Sequence, residues 1–236
     1  MHVQVMFAVV SAVLSQSPQV RADGLKPEEM VKCPVSMRVR GHERTEWSVD
    51  YGYDFDYEHR NVPRTLLVGD SITDHYAGRV RKALEGRMTV SYWASSYCVT
   101  SPGYLQRLDT ILGEADYAVI HFNNGLHSLS TKAENWEKGL EAALRLIRAR
   151  QPKAKIVWTD STPLKDSKLT AKAAALNAVA RKVIARLGDI AVDDLYTPMD
   201  ALDRESNWSD TYHFKPAALD LQARQVSAAC LKVAGL

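Results

Sequence analysis

A serine, an aspartate and a histidine stand where they could together form a nucleophilic centre. Ser71 lies in the tetrapeptide Gly69-Asp70-Ser71-Ile72, between the apolar run of residues 64–68 and a segment of helical periodicity. Asp210 and His213 follow far downstream, three residues apart. A serine hydroxyl becomes a strong nucleophile when a histidine takes its proton and a carboxylate orients that histidine. These residue types predict acyl transfer through a serine.

Ser71 is placed where a helix is predicted to begin, because the periodic segment 72–84 follows it directly. The first backbone N–H groups of a helix have no intrahelical partner, and the helix dipole there favours negative charge. The Ser71 N–H can therefore stabilise the oxyanion that forms when its own hydroxyl attacks a carbonyl. Asp70 is expected to cap this helix. It also argues against a phosphate loop, since no Gly-Lys-Ser/Thr follows.

The first and last of these blocks resemble those of the GDSL/SGNH hydrolase family, whose first block reads Gly-Asp-Ser-Leu or Gly-Asp-Ser-Ile. The resemblance extends from about residue 64 to about residue 229, which is most of the chain. In that family the serine is the nucleophile, and a late Asp-x-x-His provides the orienting acid and the general base. The resemblance therefore implies a catalytic triad of Ser71, Asp210 and His213.

A third block follows a predicted strand and reads His121-Phe122-Asn123-Asn124-Gly125-Leu126-His127. The family's third block is Gly-x-Asn-Asp, so its asparagine, an oxyanion donor, falls on Asn123. His121 and Asn124 depart from the Gly and Asp positions, a pattern that resembles a subset of bacterial members. Asn124 and His127 are then expected to contact the substrate. The alternative for Asn123 is that it only helps to form a turn.

The second block of the family centres on a glycine whose N–H is the third oxyanion donor, and the chain has no clear match to it. The segment 94–101 takes its place after the second predicted strand, and Cys98 falls on the glycine. A backbone N–H does not require glycine, so Cys98 is expected to complete the oxyanion hole with Ser71 and Asn123. A nucleophilic role for Cys98 is disfavoured, because no activating partner lies near it in sequence.

No metal and no organic cofactor are expected for this chemistry. The alternative is a metal site formed by His121 and His127 with Asp210 or His213. The spacing of the first two histidines across a glycine turn is not a recognised ligand arrangement, and no cysteine pair supports it. The other candidates for the walls of the site, for which core packing is the favoured interpretation, are Trp158, Thr162 and Trp208.

Strand and helix patterns alternate from residue 64 onward. The predicted strands are 65–68, 88–92, 117–122, 155–158 and 190–192. The predicted helices are 72–84, 102–112, 132–150, 170–187 and 216–233. Such alternation favours a three-layer α/β/α, flavodoxin-like fold with a parallel sheet of about five strands. Ligands bind at the carboxyl ends of the strands in such folds, which is where Ser71 and Asn123 are placed.

The composition suits one globular domain. The 236 residues are 46% hydrophobic and 25% charged, and the formal net charge of +2 indicates no basic surface for nucleic acid. The apolar run 3–14 is too short to span a bilayer and predicts a signal peptide over residues 1–22. A buried strand and an incorrect start site are the alternatives. The hydrolase domain is then residues 64–236.

Residues 23–63 are predicted to form an N-terminal extended arm without a convincing period. Aromatic residues mostly serve burial, so Trp47, Tyr51, Tyr53 and Phe55 are expected to pack against the main domain. The alternative is an aromatic lip for a sugar substrate.

The cysteines leave the compartment undecided. Cys33, Cys98 and Cys230 are odd in number, and no pair has the spacing of metal ligands. A disulfide from Cys33 to another part of the fold remains open for an exported protein. Buried free thiols are the favoured alternative.

These expectations combine into a serine esterase that works through an acyl-serine intermediate. The predicted substrate is a small-molecule or carbohydrate ester with a short acyl group such as acetyl, and the predicted location is secreted or periplasmic. If the N-terminal segment is not a signal peptide, the location is cytoplasmic. No nucleic-acid partner and no membrane span are expected, and the oligomeric state is left open. Two alternatives remain, an O-acyltransferase on the same fold and a non-catalytic carbohydrate-binding protein with a relict site.

Overall fold

The structure is a computed structural model that describes residues 46–52 and 61–236. Within these two ranges, no helix is long and apolar enough to cross a bilayer. The predictions that lie outside the described residues concern the signal peptide over residues 1–22, most of the arm over residues 23–63, Cys33, Tyr53 and Phe55.

The strands of the described residues form one six-stranded sheet. They are β1 (Ser48–Tyr51), β2 (Arg64–Gly69), β3 (Thr89–Ser95), β4 (Val119–Phe122), β5 (Lys155–Thr159) and β6 (Ile190–Asp193). Their order across the sheet is β1-β3-β2-β4-β5-β6. Strands β2 to β6 are parallel, whereas β1 runs antiparallel along the outer edge of β3.

Helices cover both faces of this sheet. Those in the described residues are α1 (Ser71–Leu84), α2 (Tyr104–Leu112), α3 (Ala133–Arg150), α4 (Ser167–Leu187), α5 (Tyr196–Asp200), α6 (Arg204–Asn207) and α7 (Pro216–Ala234). Helices α1 and α7 pack on one face, and α2, α3 and α4 pack on the other. Apolar strand residues on both faces are buried, as parallel sheets require.

The predicted three-layer α/β/α fold is confirmed, and its five strands and five helices are all present with ends that differ by at most three residues. The parallel strands, numbered among themselves, follow the flavodoxin-like order 2-1-3-4-5. The prediction missed β1, α5 and α6. Strand β1 is largely exposed at the sheet edge, so no apolar alternation marks it. Helices α5 and α6 are too short for helical periodicity to be recognised.

The strand order places a crevice between β2 and β4. The chain leaves β2 toward one side of the sheet and β4 toward the other, and such a switch point opens a crevice at the carboxyl ends of the two strands. Ser71 follows β2 directly and Asn123 follows β4 directly. The topology therefore brings the first and third blocks to the same crevice.

The described part of the predicted arm extends the sheet instead of only lying against it. Strand β1 pairs with β3, and the Trp47 N–H donates a 2.8 Å hydrogen bond to Ser96 Oγ. Trp47 packs against the core, as predicted for the arm. Tyr51 differs, since 49% of its surface is exposed and its ring stacks on Tyr92.

The turn from β2 into α1 is tight enough to require a glycine. A Cβ on Gly69 would lie 2.1 Å from Thr73 Oγ1 and 2.9 Å from Thr73 Cβ. Thr73 cannot easily yield, because it is buried and its Oγ1 is hydrogen-bonded to the Tyr76 hydroxyl at 3.0 Å. The close approach of β2 to the first turn of α1 thus depends on the absence of a side chain at residue 69.

We expect Gly69→Ala to reduce the free energy of unfolding by about 1–3 kcal/mol through overpacking against Thr73. Gly78→Ala is the matched control, because Gly78 lies exposed in α1 with nothing within 4 Å of an added Cβ. That change should stabilise the protein by about 0.5–1 kcal/mol through helix propensity. Urea unfolding measures both. A Gly69→Ala variant as stable as Gly78→Ala would contradict the steric argument.

Candidate active site

The turn that carries Ser71, the predicted nucleophile, joins β2 to α1 and is called the nucleophile turn below. Asp70 is the N-cap residue of α1, and its Oδ1 accepts a 2.9 Å hydrogen bond from the backbone N–H of Ile72. The capping role predicted for Asp70 is therefore confirmed. Ser71 becomes the first residue of the helix, where a backbone N–H has no intrahelical partner.

A continuous chain of hydrogen bonds links the three residues predicted to be catalytic. Ser71 Oγ lies 2.8 Å from His213 Nε2, and His213 Nδ1 lies 2.8 Å from Asp210 Oδ2. An ionised carboxylate can only accept, so His213 Nδ1 carries the proton and Nε2 accepts the Ser71 O–H. This is the tautomer that a general base for a serine needs.

Asp210 is held in its ionised form by the loop that carries it. Its Oδ1 accepts backbone hydrogen bonds from Tyr212 at 2.7 Å and from His213 at 2.8 Å. Partial burial alone would raise the pKa of Asp210, but the backbone and imidazole hydrogen bonds of His213 and the backbone bond of Tyr212 outweigh it. They lower the pKa from an ordinary 3.8 to about 2. The carboxylate can therefore orient His213 over the whole neutral range.

A short loop between α6 and α7 presents Asp210 and His213. Its ends are joined by an antiparallel bridge between Trp208 and Phe214, whose ring centroids lie 4.4 Å apart. Both rings are buried in the core. The Ser209 N–H donates to the His213 carbonyl at 2.9 Å and closes the loop. The imidazole is thus held at the surface by a buried aromatic anchor.

A second histidine, His75, lies beside His213, one helical turn after Ser71 in α1. Its ring centroid lies 4.6 Å from that of His213, with the planes inclined by 44°. Partial burial lowers the pKa of His75 from 6.5, and His213 lowers it further, against the opposing effects of Asp74, Asp210 and Asp70. His75 is therefore mainly neutral at pH 7 and packs on His213 without adding a positive charge.

Asn123 lies at the end of β4, beside β2. Its N–H donates to the Val68 carbonyl at 2.8 Å, and its Nδ2 donates to the Thr159 carbonyl at 2.8 Å and to Ser161 Oγ at 3.1 Å. Ser161 is held in turn by Asn177, through two backbone–amide hydrogen bonds of 2.9 Å. Both amide hydrogens of Asn123 are thus engaged within the protein. Donation to an oxyanion requires one of them to be exchanged.

Cys98 is fully buried in the loop after β3, and its thiol is free. Its backbone N–H donates to Ser101 Oγ at 3.1 Å, and its Sγ accepts a 3.0 Å hydrogen bond from Ser128 Oγ. The predicted third oxyanion donor is therefore a group that stabilises its own loop in this structure. Cys230 is the other cysteine of the described residues, and it is likewise a buried free thiol.

Asn124 is buried and joins two loops of the crevice. Its Oδ1 accepts the Val99 N–H at 3.0 Å, and its Nδ2 donates to the Tyr97 carbonyl at 2.8 Å. Its backbone carbonyl accepts from Trp136 Nε1 at 3.0 Å. Only 6% of the residue is exposed. The structure thus gives the side chain predicted to bind substrate a set of contacts within the protein.

His127 lies in the loop after β4, beside Trp47, the residue that precedes β1. It is half-buried, and its ring contacts Trp47 edge-to-face with the centroids 6.2 Å apart. The two residues predicted to contact substrate therefore differ in their exposure to solvent. His127 is accessible from solvent, whereas Asn124 is enclosed.

His121 does not face the crevice. It is fully buried, and its Nε2 lies 3.0 Å from Asp193 Oδ2. Burial would raise the pKa of Asp193, but hydrogen bonds with His121, Gln225 and Thr159 prevail and lower it. His121 and His127 thus have different partners, and no group of metal ligands is found in residues 46–52 and 61–236. The alternative of a metal held by these two histidines therefore has no geometric support.

Of the three wall candidates, Trp158 and Trp208 are buried core residues. Thr162 instead lines a small cavity behind the nucleophile turn. The sequence interpretation did not single out His75 or Ser161. His75 stands four residues after Ser71 on a predicted helix, so the shared helix face was a usable signal. Nothing local marks Ser161, because its partners come from β4 and α4.

Residues 67–220, more than half of the chain, match the model of the GDSL-like Lipase/Acylhydrolase family. No curated protein sequence matches the chain significantly.

Several solved structures share the fold. LAE5, an alpha/beta hydrolase enzyme from the metagenome of Lake Arreo, Spain, is 16% identical over 73% of this chain and 95% of its own, with a TM-score of 0.58. A carbohydrate esterase family 3 from Talaromyces cellulolyticus is 13% identical over 74% and 99%, with a TM-score of 0.60. A family two carbohydrate esterase from Clostridium thermocellum, in complex with cellohexaose, is 15% identical over 73% and 65%, with a TM-score of 0.58. At these identities the likeness establishes the fold alone.

The lowered pKa of Asp210 predicts a pH-dependent contribution to stability. A depressed carboxylate pKa stabilises the fold above the unfolded value near 3.8, and this stabilisation is lost as the pH falls toward about 2. We expect wild type to melt above Asp210→Asn at pH 5, and the difference in Tm to shrink between pH 4 and pH 2. Asp116→Asn, an exposed carboxylate outside the loop, controls for charge removal. A difference that stayed constant over this range would contradict the assignment.

Proposed function

Because this chain belongs to the GDSL-like lipase/acylhydrolase family, we propose that it hydrolyses esters through an acyl intermediate on Ser71. The observation that carries the proposal is the unbroken chain from Ser71 Oγ through the His213 imidazole to Asp210, with 2.8 Å at each step.

The first half of the reaction forms the acyl-enzyme. Ser71 Oγ attacks the ester carbonyl carbon while His213 Nε2 takes the hydroxyl proton. The imidazolium that results is stabilised by Asp210, whose lowered pKa keeps the carboxylate ionised. The tetrahedral intermediate then collapses, and His213 delivers the proton to the leaving alcohol oxygen. Ser71 is left as an ester of the acyl group.

The second half restores the enzyme with the same groups. A water molecule attacks the acyl carbonyl as His213 Nε2 takes one of its protons. Collapse of the second tetrahedral intermediate releases the carboxylic acid and returns the proton to Ser71 Oγ. One water is consumed, and one acid and one alcohol are formed, so the reaction needs no cofactor.

The negative charge of each intermediate must be stabilised by hydrogen-bond donors. The Ser71 N–H is the first, because it lies at the start of α1. Asn123 Nδ2 is the second, and the 3.1 Å bond to Ser161 Oγ is the longer of its two present bonds and the one we expect to exchange. Cys98 can serve as a third donor only if its N–H leaves Ser101 Oγ.

The substrate we propose is a carbohydrate carrying short acyl groups such as acetyl. Two of the structural neighbours are carbohydrate esterases by name, one of them in complex with cellohexaose. Tyr212 lies beside His213 with 42% of its surface exposed and a ring-centroid distance of 6.4 Å. His127 is half-buried in the loop after β4, the loop that also carries Asn123. Rings that have both an apolar face and a polar group are suited to contact a sugar beside the predicted triad.

Replacing the nucleophile should abolish hydrolysis. We expect Ser71→Ala to lower kcat/KM for p-nitrophenyl acetate by at least about 10³-fold, since the triad acts as a unit. Ser167→Ala, an exposed serine at the start of α4, is the control for a lost hydroxyl and should retain activity. Wild-type rates should fall from acetyl to butyryl to octanoyl esters, and acetylated oligosaccharides should release acetate.

If neither wild type nor Ser71→Ala hydrolysed any of these esters, ester hydrolysis would be ruled out as the function. Transfer of the acyl group to another alcohol, or carbohydrate binding without catalysis, would then take its place. Rates that rise with acyl chain length would leave hydrolysis standing but overturn the proposed acyl group.

Asn123→Ala tests the oxyanion role separately from folding. Loss of one oxyanion donor should lower kcat by about 10²–10³-fold with little change in KM. Ser161→Ala is the informative comparison, because it removes the group that now holds the second amide hydrogen but leaves Asn123 in place. A large drop in Tm for Asn123→Ala with nearly unchanged kcat would assign Asn123 to structure alone.

A further inference from the structure

A small cavity lies behind the nucleophile turn, between the first turn of α1 and the loop that follows β5. Asp70 and Thr73 face it from the side of α1, Asn123 from β4, and Ser161 and Thr162 from the β5 side. The cavity leaves about 10 Å³ for the centre of a water-sized sphere. This is about the volume that one buried water molecule needs.

Two polar atoms of the residues that line this cavity have no hydrogen-bond partner in the described part of the chain. They are Asp70 Oδ2 and Thr162 Oγ1. The two residues are only 4% and 2% exposed, so bulk water does not satisfy them. Asp70 Oδ1 caps α1 at Ile72, which leaves Oδ2 as the carboxylate oxygen without a partner. A buried carboxylate oxygen or hydroxyl without a partner is costly.

We propose that this cavity binds one ordered water molecule that bridges Asp70 and Thr162. The water donates a hydrogen bond to Asp70 Oδ2 and accepts one from the Thr162 hydroxyl, which satisfies both atoms at once. A metal ion fits less well, because Asp70 is the one carboxylate here that is free of a cationic partner, Asp160 being paired with Arg181. No group of metal ligands occurs in residues 46–52 and 61–236.

The water would connect two segments that are distant in the sequence and line the same cavity. Asp70 belongs to the turn that presents Ser71, and Thr162 follows Ser161, which holds the amide of Asn123. By binding to both segments, the water molecule limits their movement relative to each other, and no side chain makes this connection. The inference rests on the cavity and on the two unpaired atoms, so it stands or falls independently of ester hydrolysis.

A crystal structure of the full chain at about 1.5 Å resolution tests the site directly. We expect a density peak at hydrogen-bonding distance from both Asp70 Oδ2 and Thr162 Oγ1, and no such peak in Thr162→Val. An empty cavity in wild type would overturn the inference. A peak with the short distances and high coordination of a metal ion would overturn it as well.

Thermal unfolding gives a second readout that needs no crystal. If water bridges the two atoms, Thr162→Val should lower Tm by about 2–4 °C, because Asp70 loses its bridged partner. Thr162→Ser keeps the hydroxyl, so its crystal structure should retain the density peak of the water molecule. Ser227→Ala is the matched control, because Ser227 Oγ is also buried without a partner among the described residues but does not line the cavity. If Thr162→Val raised Tm or left it unchanged, the hydroxyl would be dry and the proposal wrong.

Discussion

The hydrogen bond between Ser71 Oγ and His213 Nε2 joins residues 142 positions apart in the chain, and the geometry of the site depends on both of its ends being held. At one end, Asp70 caps α1 and holds the serine at the first helical position. At the other, the bridge between Trp208 and Phe214 closes the loop and anchors it in the core. The 2.8 Å distance therefore depends on two turns, each of which is held by its own local hydrogen bonds and packing. The topology of the sheet sets the distance between these turns.

The protein contains two histidine–carboxylate pairs of similar geometry and different environment. His213 lies 2.8 Å from Asp210 at the surface, and His121 lies 3.0 Å from Asp193 in the interior. What separates them is the second ring nitrogen. In His213 it faces Ser71, whereas in His121 it is buried without a partner among the described residues. A paired imidazole becomes a candidate base only when a proton donor that can react lies on its other side.

The asparagine block shows how crowded the floor of the crevice is. Asn124 ties the loop after β3 to the loop after β4, and Asn123 ties β4 to the end of β5. A Cβ on Gly125 would lie 1.7 Å from Ser161 Oγ, so the two loops touch. This close packing stiffens the crevice, because the side-chain amides of both asparagines hold neighbouring loops.

The elements of the fold and the capped turn at Ser71 could be predicted because apolar periodicity, glycine and N-cap chemistry act over a few residues. The sequence by itself thus determined the three layers, the place of Ser71 after β2 and the chain order of Ser71, Asp210 and His213. Only the tertiary structure decided that Asn124 is enclosed, that the Cys98 N–H meets Ser101, and that His75 packs on His213. Those outcomes depend on contacts between loops that leave different strands, and the spacing of residues along one chain carries no record of which loops will meet.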